Sequence, residues 1–166
     1  YPESLTDPSY AGQILVLTYP LVGNYGVPAF ERDDFGLPCG FESERIQAAG
    51  LVVWEHSERY SHARAVRSLD DWLRSEGIPA LAGVDTRAVT KLLRSHGTML
   101  GALEPADADG SLPLVDPNAT DLVATVTVPE LTRYDSGAAG APTVVLLDCG
   151  AKASIVRCLL ARGMNV

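Results

Sequence analysis

The chain has 166 residues, 46% apolar and 20% charged, which suits a globular protein of one domain, or one domain and a piece of a second. Its net charge of −8 argues against nucleic acid or an anionic membrane as the main partner. Three scattered cysteines, no apolar run of membrane-spanning length and no visible targeting signal lead us to expect a reduced, cytoplasmic protein with no membrane span and no metal site.

The segment "GQILVLTYPLVGNYGVP" opens with a β-rich run, Ile14 to Tyr19. Pro20 is expected to end that strand, and Gly23-Asn24 and Gly26 to turn the chain. Residues 29–44 are polar and contain Gly and Pro, so they read as a surface loop, with room for a short helix from Phe41. A short buried strand is expected at Leu51–Trp54. Ser68 then N-caps a helix whose first turn holds Asp70 and Asp71, with Leu69, Trp72 and Leu73 facing inward and Gly77 ending it. "ALAGV" (80–84) reads as a strand, and Asp85 or Thr86 caps a second helix with Val89, Leu92 and Leu93 inside and Gly97 at its end. "TMLGAL" (98–103) reads as another strand.

From 104 to 142 the chain turns rich in Pro, Gly, Asp and Ala. "DLVATVTV" reads as one strand, and residues 135–142 read as a linker that marks a domain boundary. Beyond it, an apolar run from Val144 to Leu147 leads through Asp148-Cys149-Gly150 into a helical pattern with Ile155, Val156, Leu159 and Leu160 on one face. This is the first strand-helix unit of a parallel α/β domain, which needs neighbouring strands to cover it.

A few residues invite chemical readings. Cys149 stands between the apolar run and the helix start, where a helix N-terminus lowers a thiol's pKa. It has no base beside it and no nucleophile-elbow spacing, so we read it as a small buried residue at a tight turn. Cys158 reads as core packing, and Cys39 lies in the loop without a nameable partner. His56, His62 and His96 are scattered and read as surface or capping residues. "DTRAVTKLLR" is either a capped amphipathic helix or a place where Asp85 and Arg87 form a fixed polar contact. "LTDPSY" is a turn in which Asp7 captures a backbone N–H and Pro8 fixes φ, leaving Ser9 and Tyr10 to present hydroxyls.

Three stretches, in this order and spacing, carry a resemblance: "YPESLTDPSYAGQILVLTYPLVGNYGVP", "GVDTRAVTKLLRSHGTMLGAL" and "VVLLDCGAKASIVRCLLARG". They resemble the small, glutamine-hydrolysing subunit of carbamoyl phosphate synthetase. The resemblance implies an α/β small-subunit N-terminal domain over residues 1–134, the linker 135–142, and at 143–166 the start of a doubly wound class I glutamine amidotransferase domain. It implies a chain truncated at both ends, without the family's catalytic Cys, His and Glu, and with Cys149 outside the nucleophile position.

Further expectations follow from the resemblance alone. Ser9 is the residue that touches bound L-glutamine. Lys152 has a structural or interfacial role, and Asp85 and Arg87 are architectural. No cofactor is bound here; ATP and Mg are used by the partner, a large synthetase subunit either separate or fused. Ammonia from glutamine reaches that subunit through a tunnel and is built into carbamoyl phosphate. The alternatives are a catalytically dead docking and assembly homologue of an ammonia-dependent synthetase, and an unrelated α/β binding module.

Overall fold

The computed structural model describes residues 1–107 and 112–166; residues 108–111, within the Pro/Gly-rich stretch, lie outside them. In chain order the elements are α1 (Pro2–Thr6), β1 (Ile14–Val22), β2 (Val27–Pro28), β3 (Gly50–His56), β4 (Ala65–Arg67), α2 (Leu69–Ser75), β5 (Ala80–Leu81), α3 (Thr86–His96), α4 (Leu122–Val126) and α5 (Ala153–Leu160). The architecture is mixed α/β. By contacts it divides into one unit of Tyr1–Ala11, Phe30–Gln47 and Asp121–Val166, and another of Gly12–Ala29 and Ala48–Thr120.

The second unit is built on a parallel sheet of order β1-β3-β5. A parallel strand flanked on both sides wants apolar residues on both faces, and β3 buries Leu51, Val52 and Val53 in succession. The strand runs past its expected end to His56, and Trp54 is half exposed. β1 is an edge strand, and Pro20 does not end it. The register shifts between Leu17 and Leu21, and the strand then pairs again at Leu21–Val22. A bulge on an edge is where a residue without an N–H is tolerated.

Both helices of this unit begin where their caps dictate. Ser68 Oγ accepts the Asp71 N–H at 3.0 Å, and α2 buries Leu69, Trp72 and Leu73. Asp85 Oδ1 accepts the Ala88 N–H at 2.8 Å, and α3 packs on β1 and β3. Val89 and Leu93 are half-buried, whereas Leu92 is exposed, contrary to expectation. Residues 98–103 form no strand. An apolar run becomes a strand only where a neighbour takes its ladder bonds; Leu103 instead sits over Gly50, within 2.8 Å of where a Cβ would stand.

In the first unit, two more strand expectations give way. Residues 121–128 hold α4, because Asp121 Oδ1 accepts the Ala124 N–H at 3.0 Å and the cap outweighs the β-branched composition. Residues 144–147 make no ladder beyond the single parallel bridge Thr143–Asn165, and Leu147 is 86% exposed. The C-terminal residues are nevertheless anchored: Tyr134 and Val166 exchange backbone hydrogen bonds of 2.8 and 3.0 Å, and Val144 N–H donates to Asn165 O at 2.8 Å.

The loop at 30–47 contains no helix at Phe41, and it is more than surface. Leu37, Phe41 and Ile46 are buried. Leu37 packs with Val156 and Leu160 of α5, joined by Phe35, Tyr134, Leu146 and Val166. Asp33 Oδ1 caps Phe35 and Leu37, while its Oδ2 accepts from Arg157 Nε at 2.6 Å. Arg157 also donates to Pro38 O at 2.7 Å. The face of α5 that is buried is Ala153, Val156 and Leu160; Ile155 and Cys158 point to solvent, so the core placement expected for Cys158 does not hold.

Two outcomes follow from this packing. Gly26 has φ +67, and a Cβ there would lie 2.7 Å from Ala65 Cβ and 2.8 Å from Tyr60 Cγ. Gly26→Ala is therefore expected to cost about 2 kcal/mol or more in urea unfolding, and an unchanged midpoint contradicts the packing. The second concerns acid. Burial pushes the Asp33 carboxyl up, but the Arg157 guanidinium and the Leu37 and Phe35 N–H groups outweigh it and hold it below the usual range. A group depressed in the folded state stabilises above its unfolded pKa, and that contribution is lost as pH falls through the folded value. Asp33→Asn is expected to cost about 1–3 kcal/mol at pH 7, with the gap to the wild type closing as pH falls below about 3.9. A gap that stays constant with pH removes the ion pair from the account.

Candidate functional site

The first unit brings together two turns that are far apart in sequence. The first follows α1. Asp7 stands at the N-cap of a short 3-10 turn over Pro8–Tyr10, and its Oδ1 accepts the Ser9 N–H at 2.9 Å. Pro8 is buried and Ser9 is exposed. The base of the turn is fixed by Thr6, which is 1% exposed. Its Oγ1 donates to Pro2 O at 2.8 Å and accepts the Glu42 N–H at 2.9 Å; its carbonyl accepts from Ser43 Oγ at 2.6 Å.

The second turn is Asp148-Cys149-Gly150. Asp148 Oδ1 accepts the N–H groups of Gly150 at 2.8 Å and Ala151 at 2.7 Å, and Oδ2 accepts the Val128 N–H at 2.7 Å. Burial raises the pKa of this carboxyl, but the three backbone donors outweigh burial and hold it below the usual range. Gly150, at φ +97, lets the turns meet: a Cβ on it would stand 2.8 Å from Val126 Cγ2 and 3.2 Å from Pro8 Cβ. Lys152 comes two residues after Gly150 and places Nζ 3.4 Å from Asp7 Oδ2. Asp7 thus answers to Lys152 through one oxygen and to Ser9 through the other.

The arrangement places the exposed Ser9 on a turn whose Asp7 carboxylate also meets the Lys152 ammonium. A serine hydroxyl donates to a carboxylate and accepts from an ammonium, so an amino-acid ligand is chemically suited to it. Cys149 is exposed rather than buried, and its thiol has no hydrogen-bond partner among the described residues. A cleft of about 1000 Å³ in the same unit is lined by Pro8, Glu42, Val128, Leu147 and Asp148, among others, but not by Ser9, Cys149 or Lys152. The cleft has charged residues of its own, Glu42 and Asp148 among them, but the Ser9 hydroxyl and the Lys152 ammonium lie outside its lining.

The other candidates lie in the second unit. Asp85 caps α3, Arg87 is exposed on that helix, and no ion pair joins them among the described residues. His62 lies 5.9 Å from the ring of Tyr25, His96 Nδ1 is 3.0 Å from Leu92 O, and His56 Nε2 is buried without a partner among the described residues. Among the described residues no group of three or more His, Cys, Asp or Glu is placed to hold a metal ion, and no helix is long and apolar enough to cross a membrane.

Sequence reasoning passed over Asp148 and Glu42. Asp148 had a local signal, since Asp-x-Gly is a sequence in which the carboxylate captures following N–H groups. Glu42 had none, because the Ser154 N–H it accepts lies 112 residues away.

Residues 1–103 match the family described as carbamoyl-phosphate synthase small chain, CPSase domain. The chain is 50% identical along its whole length to the carbamoyl phosphate synthase arginine-specific small chain of Saccharomyces cerevisiae, of which it covers 41%. It is 49% identical, again over its whole length, to the corresponding chain of Aspergillus niger, covering 37% of it. It is also 50% identical to the multifunctional protein CAD of Squalus acanthias, but covers only 7% of that chain. It therefore spans well under half the length of the relatives it matches. A family match over more than half of the residues, with this identity along all of them, shows that the chain belongs to the carbamoyl-phosphate synthase small chain family.

Proposed function

We propose that these residues belong to a glutaminase subunit that supplies ammonia to a carbamoyl phosphate synthetase. Residues 1–134 then form the N-terminal domain, 135–142 a linker, and 143–166 the start of the glutamine amidotransferase domain. L-Glutamine is the substrate. The partner is a large synthetase subunit, separate or fused, which uses ATP and Mg to build carbamoyl phosphate from bicarbonate and ammonia in the cytoplasm.

The observation that carries this reading is the exposed Ser9 on a turn braced by Asp7 and Lys152. In this role Ser9 contacts the α-amino or α-carboxylate group of glutamine. Lys152 acts behind it, as a brace on Asp7. Asp85 and Arg87 belong to the architecture of α3. The Cys–His–Glu hydrolytic set lies outside these residues, and Cys149 takes no part in hydrolysis.

In the full-length protein with its synthetase partner, Ser9→Ala is expected to raise the KM for glutamine about tenfold, the worth of a hydrogen bond to a charged group, while synthesis from added ammonia is unchanged. An unchanged glutamine KM removes Ser9 from the site. Absence of glutamine-dependent synthesis in the wild type, with ammonia-dependent synthesis intact, favours a docking homologue instead. Residues 1–166 alone are expected to release no ammonia from glutamine; turnover that disappears on Cys149→Ala overturns the reading of that thiol.

A further inference from the structure

We infer that Glu42 is a positioning residue for glutamine binding, setting the spacing between the turn that carries Ser9 and the turn that carries Lys152. The inference rests on the proposed function and adds a residue to it. Helix α5 starts without a cap of its own: Lys152 occupies the N-cap position and its side chain makes no capping bond. Glu42 supplies what is missing. Its carbonyl accepts the Ala153 N–H at 2.9 Å, and its Oε2 accepts the Ser154 N–H at 2.9 Å. A carboxylate at a helix N-terminus is favoured by the free N–H groups and by the dipole together.

The same residue is tied to the first turn. Its own N–H donates to Thr6 Oγ1 at 2.9 Å, one residue before Asp7. A closed ring results: Glu42 to Thr6, along the chain to Asp7, across the ion pair to Lys152, along the chain to Ala153 and back to Glu42. Four of its links are short hydrogen bonds or covalent chain. The fifth, Lys152 to Asp7, is the longest at 3.4 Å, with the Lys152 side chain 38% exposed, and a long contact to a half-exposed lysine holds geometry less firmly than a short hydrogen bond. Without the Glu42 carboxylate the Ser154 N–H loses its acceptor, and the start of α5 keeps only the backbone bond from Ala153 to Glu42, so Lys152 is held less firmly relative to Asp7. The Ser9 N–H is bonded to that same Asp7. A glutamine held by Ser9 would feel the shift in its affinity.

The test uses the full-length protein with its synthetase partner. Gln keeps an acceptor oxygen at the same reach; Ala removes it; Asp keeps the charge but withdraws it by one methylene. Glu42→Ala and Glu42→Asp are expected to raise the glutamine KM about fivefold, the usual worth of a helix cap, with kcat and ammonia-dependent synthesis unchanged and Glu42→Gln close to wild type. The Asp and Gln pair decides the matter even where the Ala protein does not fold. An Asp variant with wild-type KM, or a Gln variant as impaired as Asp, overturns the inference. So does a parallel fall in glutamine- and ammonia-dependent rates in the Asp variant. Ser9→Ala run alongside separates the two readings: if it raises KM and the Asp variant does not, only Glu42 is misassigned, whereas an unchanged KM in Ser9→Ala removes both.

Discussion

Helix α5 depends on the loop at 30–47, and the candidate site depends on that dependence. The helix spans only Ala153–Leu160, too short to be stable by itself. The loop meets it in three ways. Glu42 caps the first turn, Asp33 takes the Arg157 guanidinium, and Leu37 fills the space against Val156 and Leu160. Asp33 shapes its own loop at the same time, through the Phe35 and Leu37 N–H groups. A carboxylate with a guanidinium on one oxygen and two backbone donors on the other is fully engaged. That is the condition under which a partly buried charge stabilises rather than strains a fold.

The site above this helix repeats one device. Asp7, Asp121 and Asp148 each use a carboxylate oxygen to hold N–H groups two or three residues on, and each fixes a turn or helix start that would otherwise fray. Asp7 and Asp148 each have a second oxygen left for a longer-range task. Asp7 gives it to Lys152 and Asp148 to Val128. Local turn chemistry and long-range placement therefore run through the same side chains.

What was legible in the sequence was local. β1 and β3 followed from apolar β-rich runs, α2 and α3 from Ser68 and Asp85 as caps, and Ser9's turn from Asp-Pro-Ser. What failed were readings that needed knowledge of a neighbour. Residues 98–103 and 144–147 have strand-like composition but no ladder to join, and 121–128 yielded to the Asp121 cap. The loop at 30–47 looked polar because its buried residues, Leu37, Phe41 and Ile46, are spaced too irregularly to read as an element. Cys158 was placed inside because the buried face of α5, Ala153, Val156 and Leu160, is turned by about one position from the apolar pattern. The contacts of Glu42 and Lys152 join distant parts of the chain, and no local pattern encodes those.

The measurement that bears most directly on this account is a double-mutant cycle between Asp33 and Arg157, read by urea unfolding of the full-length protein at neutral pH. Asp33→Asn, Arg157→Met and the double variant isolate the coupling from the other bonds each residue makes. The account predicts a coupling of about 1–3 kcal/mol, since the two groups meet in a partly buried, charge-assisted contact. A coupling within about 0.3 kcal/mol of zero contradicts it, and would mean that α5 and the turn before it are held by something other than the loop.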